Sequence, residues 1–126
     1  MSLTNTFETT VLTWLLTDGS ATRPTAWYVG LFTTDPGETG AGTEVSGGSY
    51  ARTAVTFTVI GDTASNSAGV EFPAATANWG TITHIDIMDA SSGGNMIVHA
   101  ALTASKAIAD GDVFRIPTGD LDITLN

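Results

Sequence analysis

The runs TITHIDIM (81–88), MIVHAAL (96–102), DVFRIP (112–117) and LDITL (121–125) decide the fold. They are short, rich in Ile, Val and Thr, and separated by Ser92-Gly93-Gly94, Asp110-Gly111 and Thr118-Gly119. β-Branched runs broken by Gly-containing turns read as strands of a sandwich, jelly roll or barrel. LDITL alternates most plainly: Leu121, Ile123 and Leu125 are expected to face the core, with Asp120, Asp122 and Thr124 facing water. Carboxylates on its outer side suit an edge strand, because they discourage open pairing.

Upstream, AGVEF (68–72), YARTAVTFTV (50–59) and AWYVGLFT (26–33) have the same texture. The 50–59 run reads as one alternating strand with Val55, Phe57 and Val59 on one side, and Gly61-Asp62 turns the chain after it. Residues 34–49 form a long Gly-rich loop. The N-terminal stretch differs: Leu3, Phe7, Val11, Trp14 and Leu15 recur at spacings of three and four, the period of a helix face. Asn5 with Glu8 fits a capping box, and Asp18-Gly19 fits a helix stop. The expected organisation is a helix or arm at 1–19 and a single β-sandwich domain at 20–126. The fold class is mainly β: an antiparallel sandwich or jelly-roll-like domain with one N-terminal α-helix. No helical segments separate the strands, as a parallel βαβ fold would need.

Composition narrows the function classes. The chain has 126 residues, enough for one core. Only 13% are charged, about half the usual share, and the net charge is −9. With four Lys and Arg in all, neutralising nucleic-acid phosphates or docking on an anionic membrane is not expected. Cysteine is absent, which removes disulfides and thiolate metal sites. No basic residue precedes the apolar residues of the N-terminus, so a secretory signal is not expected. No run approaches the ~18 apolar residues of a membrane span.

Chemistry-bearing residues are sparse. His84 and Asp86 lie two apart on one strand, and His99 could join them in a metal site, but a third regularly spaced ligand is missing. The acidic pairs Asp110/Asp112 and Asp120/Asp122 lack the alternating oxygen ligands and distal Glu of a calcium loop, and read as turn formers. No Ser sits in Gly-x-Ser-x-Gly, and the Gly40-Ala41-Gly42 loop carries Asp35, Glu38 and Glu44, which repel phosphate. Trp14, Trp27 and Trp79 could stack on a sugar, although such residues more often anchor a core or an interface. No catalytic residue, metal or cofactor is expected.

The strands at 81–88 and 96–102 have apolar or neutral residues on both faces, Asp86 apart. An isolated sandwich usually leaves one face wet. Two-sided strands therefore suit either the middle of a sandwich or a surface covered by another protein.

WYVGLFTTDPGETGAGTEVSGGSYAR (27–52), FPAATANWGTITHIDIMDASSGGN (72–95) and GDVFRIPTGDLDITL (111–125), with the LTNTFETTVLTWLL start, resemble a family of small tailed-bacteriophage virion proteins. These are labelled tail fibre-like or head decoration (cement) proteins. Asp86 departs from the Gly or Phe that the resemblance leads one to expect there. The resemblance implies a non-enzymatic structural protein of the virion, assembled in the host cytoplasm. Capsid decoration is the leading expectation, with partners in the major capsid protein or other virion proteins and a dimeric or trimeric homo-oligomer. A tail-fibre or baseplate component is the alternative, and a host-glycan module a further one. The expected assembly contacts are Leu3, Phe7, Val11 and Trp14 of the helix, and Asp35, Pro36, Glu38 and Glu44 of the Gly-rich loop, whose backbone can adapt to a partner.

Overall fold

The computed structural model describes residues 1–125; Asn126, the last position of the expected domain, lies outside the described residues. The architecture is antiparallel β with one helix, laid out like a sandwich. The central pair is β7 (Gly80–Met88) and β8 (Met96–Ile108), joined by the Asp89–Asn95 turn. On one side β2 (Tyr28–Phe32) and β3 (Thr53–Ala54) extend the sheet, and on the other β1 (Ser2–Leu3) pairs with β8. A second sheet has the order β10-β5-β4, from Asp122–Thr124, Thr63–Asn66 and Phe57–Ile60. A short ribbon pairs β6 (Val70–Glu71) with β9 (Arg115–Ile116).

Alternation sets what each face of the large sheet does. Val29 and Leu31 of β2, Ile85 and Ile87 of β7 and Val98 of β8 point into the core, where they meet Val55, Val70, Phe72, Phe114 and Leu121. Phe72 is the pivot of an aromatic cluster, stacked with Tyr50 at 6.2 Å and edge-on to Phe114 at 5.6 Å. The opposite face of β2 and β7 carries Gly30, Phe32, His84, Asp86 and Met88. Phe32, Asp86 and Met88 are buried there as well. What covers them is the chain's own 33–48 loop, stitched to β2 by Val45 N donating to the Leu31 carbonyl and Thr33 N to that of Thr43. The two-sided burial of the central strands is thus satisfied within one chain. The composition of β7 alone does not require a neighbour.

Several local expectations change. The 50–59 run is two strands, β3 and β4, because Val55 N turns to the Trp27 carbonyl and Val55 drops into the core between them. The hairpin partner of β4 after Gly61-Asp62 is β5, whose Thr-Ala-Ser-Asn sequence carries no apolar alternation to announce it. β8 is thirteen residues long and runs past Leu102 into polar residues that pair with the start of β7.

The helix α1 spans Asn5–Leu16. Its N-cap is Thr4, not Asn5: Thr4 Oγ1 accepts from Phe7 N at 3.5 Å and donates to the Met96 carbonyl at 2.8 Å. The fully buried Thr4 therefore both caps the helix and ties it to β8. The helix stops at Leu16 rather than at Gly19, since Thr17 turns extended and its hydroxyl accepts from Gly19 N at 3.0 Å. Leu3 belongs to β1, where it pairs with Val98, and not to the helix face.

Candidate functional site

Two surfaces collect the residues with functional potential. The first is the polar layer between the large sheet and its covering loop. β2 and β7 pair in a register that sets Gly30 opposite Asp86, and β7 and β8 set Asp86 opposite His99. Side chains at paired positions share a face, so Asp86 and His99 are neighbours beneath the loop. The loop brings three carboxylates down onto them. Glu38 Oε1 lies 3.2 Å from His99 Nε2, and Asp35 Oδ1 lies 3.9 Å from His84 Nε2. Glu44 bridges to Phe32 and is held by Arg52 in a bidentate pair, Nε to Oε2 at 2.9 Å and Nη2 to Oε1 at 2.8 Å. The Tyr50 hydroxyl donates to Glu44 Oε2 at 2.6 Å and accepts from Leu31 N at 3.0 Å. Arg52 Nη1 also donates to the carbonyls of Ala90 and Gly93, at 3.0 and 2.8 Å. One guanidinium thus joins the covering loop to the β7–β8 turn.

Burial and charge set the protonation of this layer. Burial alone would raise the Glu44 carboxyl; the hydrogen bonds from Arg52 and Tyr50 and the charge of Arg52 outweigh it and hold the group below its usual range. The Tyr50 hydroxyl is pushed up by burial and by donating to Glu44. Asp86 is the outlier: it is fully buried and neither carboxylate oxygen has a hydrogen-bond partner. Burial, with Glu44 repulsion added and Arg52 only partly offsetting, raises it to about 7. It borders a cavity of about 390 Å³ that Glu44, Arg52, Thr39 and Gly94 also line.

This layer holds the loop in place and offers little chemistry. Among the described residues no group of three His, Asp or Glu side chains is placed to hold a metal ion. His84 and His99 each turn to a different loop carboxylate, and Glu44 is occupied by Arg52 and Tyr50. The acidic pairs near the turns serve the backbone and the ladder: Asp112 Oδ2 accepts from Ala109 N at 2.9 Å, and Asp122 accepts from the Ser65 hydroxyl. Trp79 is buried, edge-on to Tyr50, with its indole N–H donating to the Gly48 carbonyl at 2.9 Å, so neither ring face is open to a sugar. Gly47, Gly48 and Ser49 are all left-handed, and a side chain at Gly48 would press on that indole.

The expected loop contacts are therefore spent internally. Pro36 is fully buried, Glu38 and Glu44 are engaged within the chain, and only Asp35 stands exposed. The loop is clamped, which removes the adaptability its Gly content suggests.

The second surface is apolar. Phe7, Val11 and Trp14 face the 21–24 segment, with a groove of about 280 Å³ between them. Leu3 and Val11 border a larger groove of about 500 Å³ whose far wall is the β4-β5-β10 sheet. No residue of α1 is buried. The sequence period found Phe7, Val11 and Trp14, but Leu12 and Leu16, on the outward side, escaped it. Their signal is the width of the apolar arc, which the LTWLL run extends beyond a single face.

No helix among the described residues is long and apolar enough to cross a membrane. A family model described as podophage GP4 fiber I protein gp80 matches residues 2–124. No curated protein matches the chain.

Proposed function

The chain belongs to the podophage GP4 fiber I protein gp80 family, and from that premise we propose that it is a subunit of a tail fibre. It is a structural protein of a small tailed-phage virion. The capsid-decoration expectation yields to the fibre reading, because the matched family is a fibre protein over nearly the whole chain. That match is the observation that carries the proposal.

The geometry supports a structural role in two ways. The polar layer is engaged internally: Asp86 is fully buried, and both histidines are partly buried against loop carboxylates that hold the covering loop in place. The apolar surface around α1 is open, as suits a protein whose work is contact with neighbours. The partners are accordingly other virion proteins and further copies of the chain. Nucleic acid is not expected among them, because the chain carries only four Lys and Arg against a net charge of −9.

Electron microscopy of virions carrying an epitope insertion at the exposed Thr118-Gly119 turn, away from the apolar grooves, tests this reading. Label around the tail is expected. Label spread over the head would overturn the fibre assignment and restore capsid decoration.

A further inference from the structure

The chain has two histidines, and both face the same loop. His84 on β7 meets Asp35 at 3.9 Å, and His99 on β8 meets Glu38 at 3.2 Å. The two limbs of that loop are held differently. Residues 43–48 are tied to β2 by backbone hydrogen bonds, and to Arg52 and Tyr50 through Glu44. The 35–42 tip, among the described residues, makes no backbone hydrogen bond to the sheet. Its polar ties to the sheet are the two imidazole contacts. Pro36 is buried, but Gly37, Gly40 and Gly42 bring no side chain to the packing. A segment with few packed side chains and no ladder opens at low cost.

The surroundings of the two rings make that opening sensitive to protons. His84 has Phe32 of β2 and Ala101 of β8 as register partners, and its Nδ1 lies 2.8 Å from the Thr83 hydroxyl. His99 stands between Asp86 of β7 and Ser2 of β1, with the amino terminus one residue beyond Ser2. From α1, Asn5 and Thr6 border the space beside Glu38, while Glu8 is exposed. Asp89 of the β7–β8 turn is taken by Asn95. With both imidazoles protonated, Arg52, His84 and His99 face Asp35, Glu38 and Glu44, and the charges balance. With both neutral and Asp86 ionised, Arg52 alone faces four carboxylates. Repulsion counts here, because Glu38 Oε2 and both Asp86 oxygens are buried without a hydrogen-bond partner. Histidine is the side chain whose charge changes between pH 5 and 8.

We propose that the 35–42 tip is a proton-dependent cover, closed over the sheet while His84 and His99 carry protons and lifting when they lose them. The 43–48 limb stays clamped by Arg52 throughout. Lifting uncovers the cavity of about 390 Å³ and the buried Phe32, Met88 and Met96 that border it. Asp86, whose carboxyl burial raises to about 7, acts in the same direction when it ionises. The inference concerns a single chain and does not depend on the fibre reading.

Methionine oxidation in the full chain tests it. Brief treatment with hydrogen peroxide at pH 5 and at pH 8, with free methionine in the same tube as the reference, is read by peptide mass spectrometry. Met88 and Met96 of the wild type are expected to oxidise about fivefold faster at pH 8, with an unchanged circular dichroism spectrum. In His84→Gln/His99→Gln the contrast should vanish, with the pH 5 rate raised to the wild-type rate at pH 8. Asp86→Asn should keep about a twofold contrast, since both imidazole contacts remain. If the histidine variant unfolds, Asp35→Asn/Glu38→Gln removes the same contacts from the loop side and should abolish the contrast as well. Equal wild-type rates at the two pH values would overturn the proposal. So would a contrast that survives loss of the imidazole contacts, or one that disappears in Asp86→Asn alone, since either assigns the effect to other groups.

Discussion

Asp86 occupies the space that a side chain at Gly30 would fill. The two are register partners on β7 and β2, and a Cβ at Gly30 would collide with Asp86 Oδ1 and press on Glu44 Oε2 at 3.2 Å. The glycine is what admits a second carboxylate beside the Glu44–Arg52 pair.

Gly30→Ala is expected to destabilise the protein by about 2 kcal/mol, as overpacking of a filled interior does. Asp86→Ala in the same chain should recover part of that loss. Urea unfolding of the two single variants and the double variant measures the coupling; additive losses would mean the two positions do not share space.

Asp86 makes stability depend on pH. Its folded pKa, about 7, lies above its ordinary value of 3.8, so the folded state holds a proton that the unfolded state has released. The stability this group contributes is complete below pH 3.8 and lost as pH rises through 7. The whole change is on the order of 4 kcal/mol. Glu44, Arg52 and Tyr50 face the group and His99 lies across from it, so the wild type must be compared with Asp86→Asn. The variant should lose most of the decline between pH 5 and 8 and be the more stable protein at pH 8. Parallel pH profiles for the two proteins would refute the assignment.

Arg52→Ala is expected to cost about 3 kcal/mol, because it strands the Glu44 carboxylate and frees the carbonyls of Ala90 and Gly93. Arg52→Lys should rescue only part, since an ammonium cannot make the bidentate pair. Limited proteolysis reads the local effect: cleavage within 34–48 should appear in the alanine variant before the core is cut.

Thr4→Ala removes a helix cap and a buried hydrogen bond to Met96 together. A loss of about 1–2 kcal/mol is expected, with reduced helical dichroism. Thr4→Ser should keep both.

Trp79→Phe keeps the ring but leaves the Gly48 carbonyl without its indole donor. About 1 kcal/mol of stability should be lost, and thermal melting reports it.

The strands with β-branched runs were legible because alternation and burial agreed there: β2, β7 and the first half of β8 lie close to their expected positions. β5 was not, since Thr63 to Asn66 owe their place to pairing with β4 and β10 and not to their own apolar content. The alternation of LDITL was read correctly as a facing rule, yet Leu125 is exposed because the sheet outruns the core; periodicity gives direction and not the extent of what is packed opposite. The helix was legible from Phe7, Val11 and Trp14, but its cap was misplaced by one residue because Thr4 is fixed by a β8 carbonyl ninety-two positions away. The polar layer was beyond the sequence for the same reason. Asp35, Glu38 and Glu44 read as a free acidic loop until the β2–β7–β8 register sets His84, Asp86 and His99 beneath them.

The Arg52 clamp also orders events in time. Its bonds to Ala90 and Gly93 reach across 38 and 41 residues, to a turn that exists only once β7 and β8 have paired. Closing the 80–108 hairpin is the cheaper step in chain entropy, being local. The Arg52 bonds to that turn can form only once the turn exists, so the loop is expected to lock after the hairpin has closed, with the Asp86 side wet until then. At that stage the carboxylate ionises freely, and the rate of the final locking step should fall as the solution is made more alkaline, while hairpin closure stays indifferent to it.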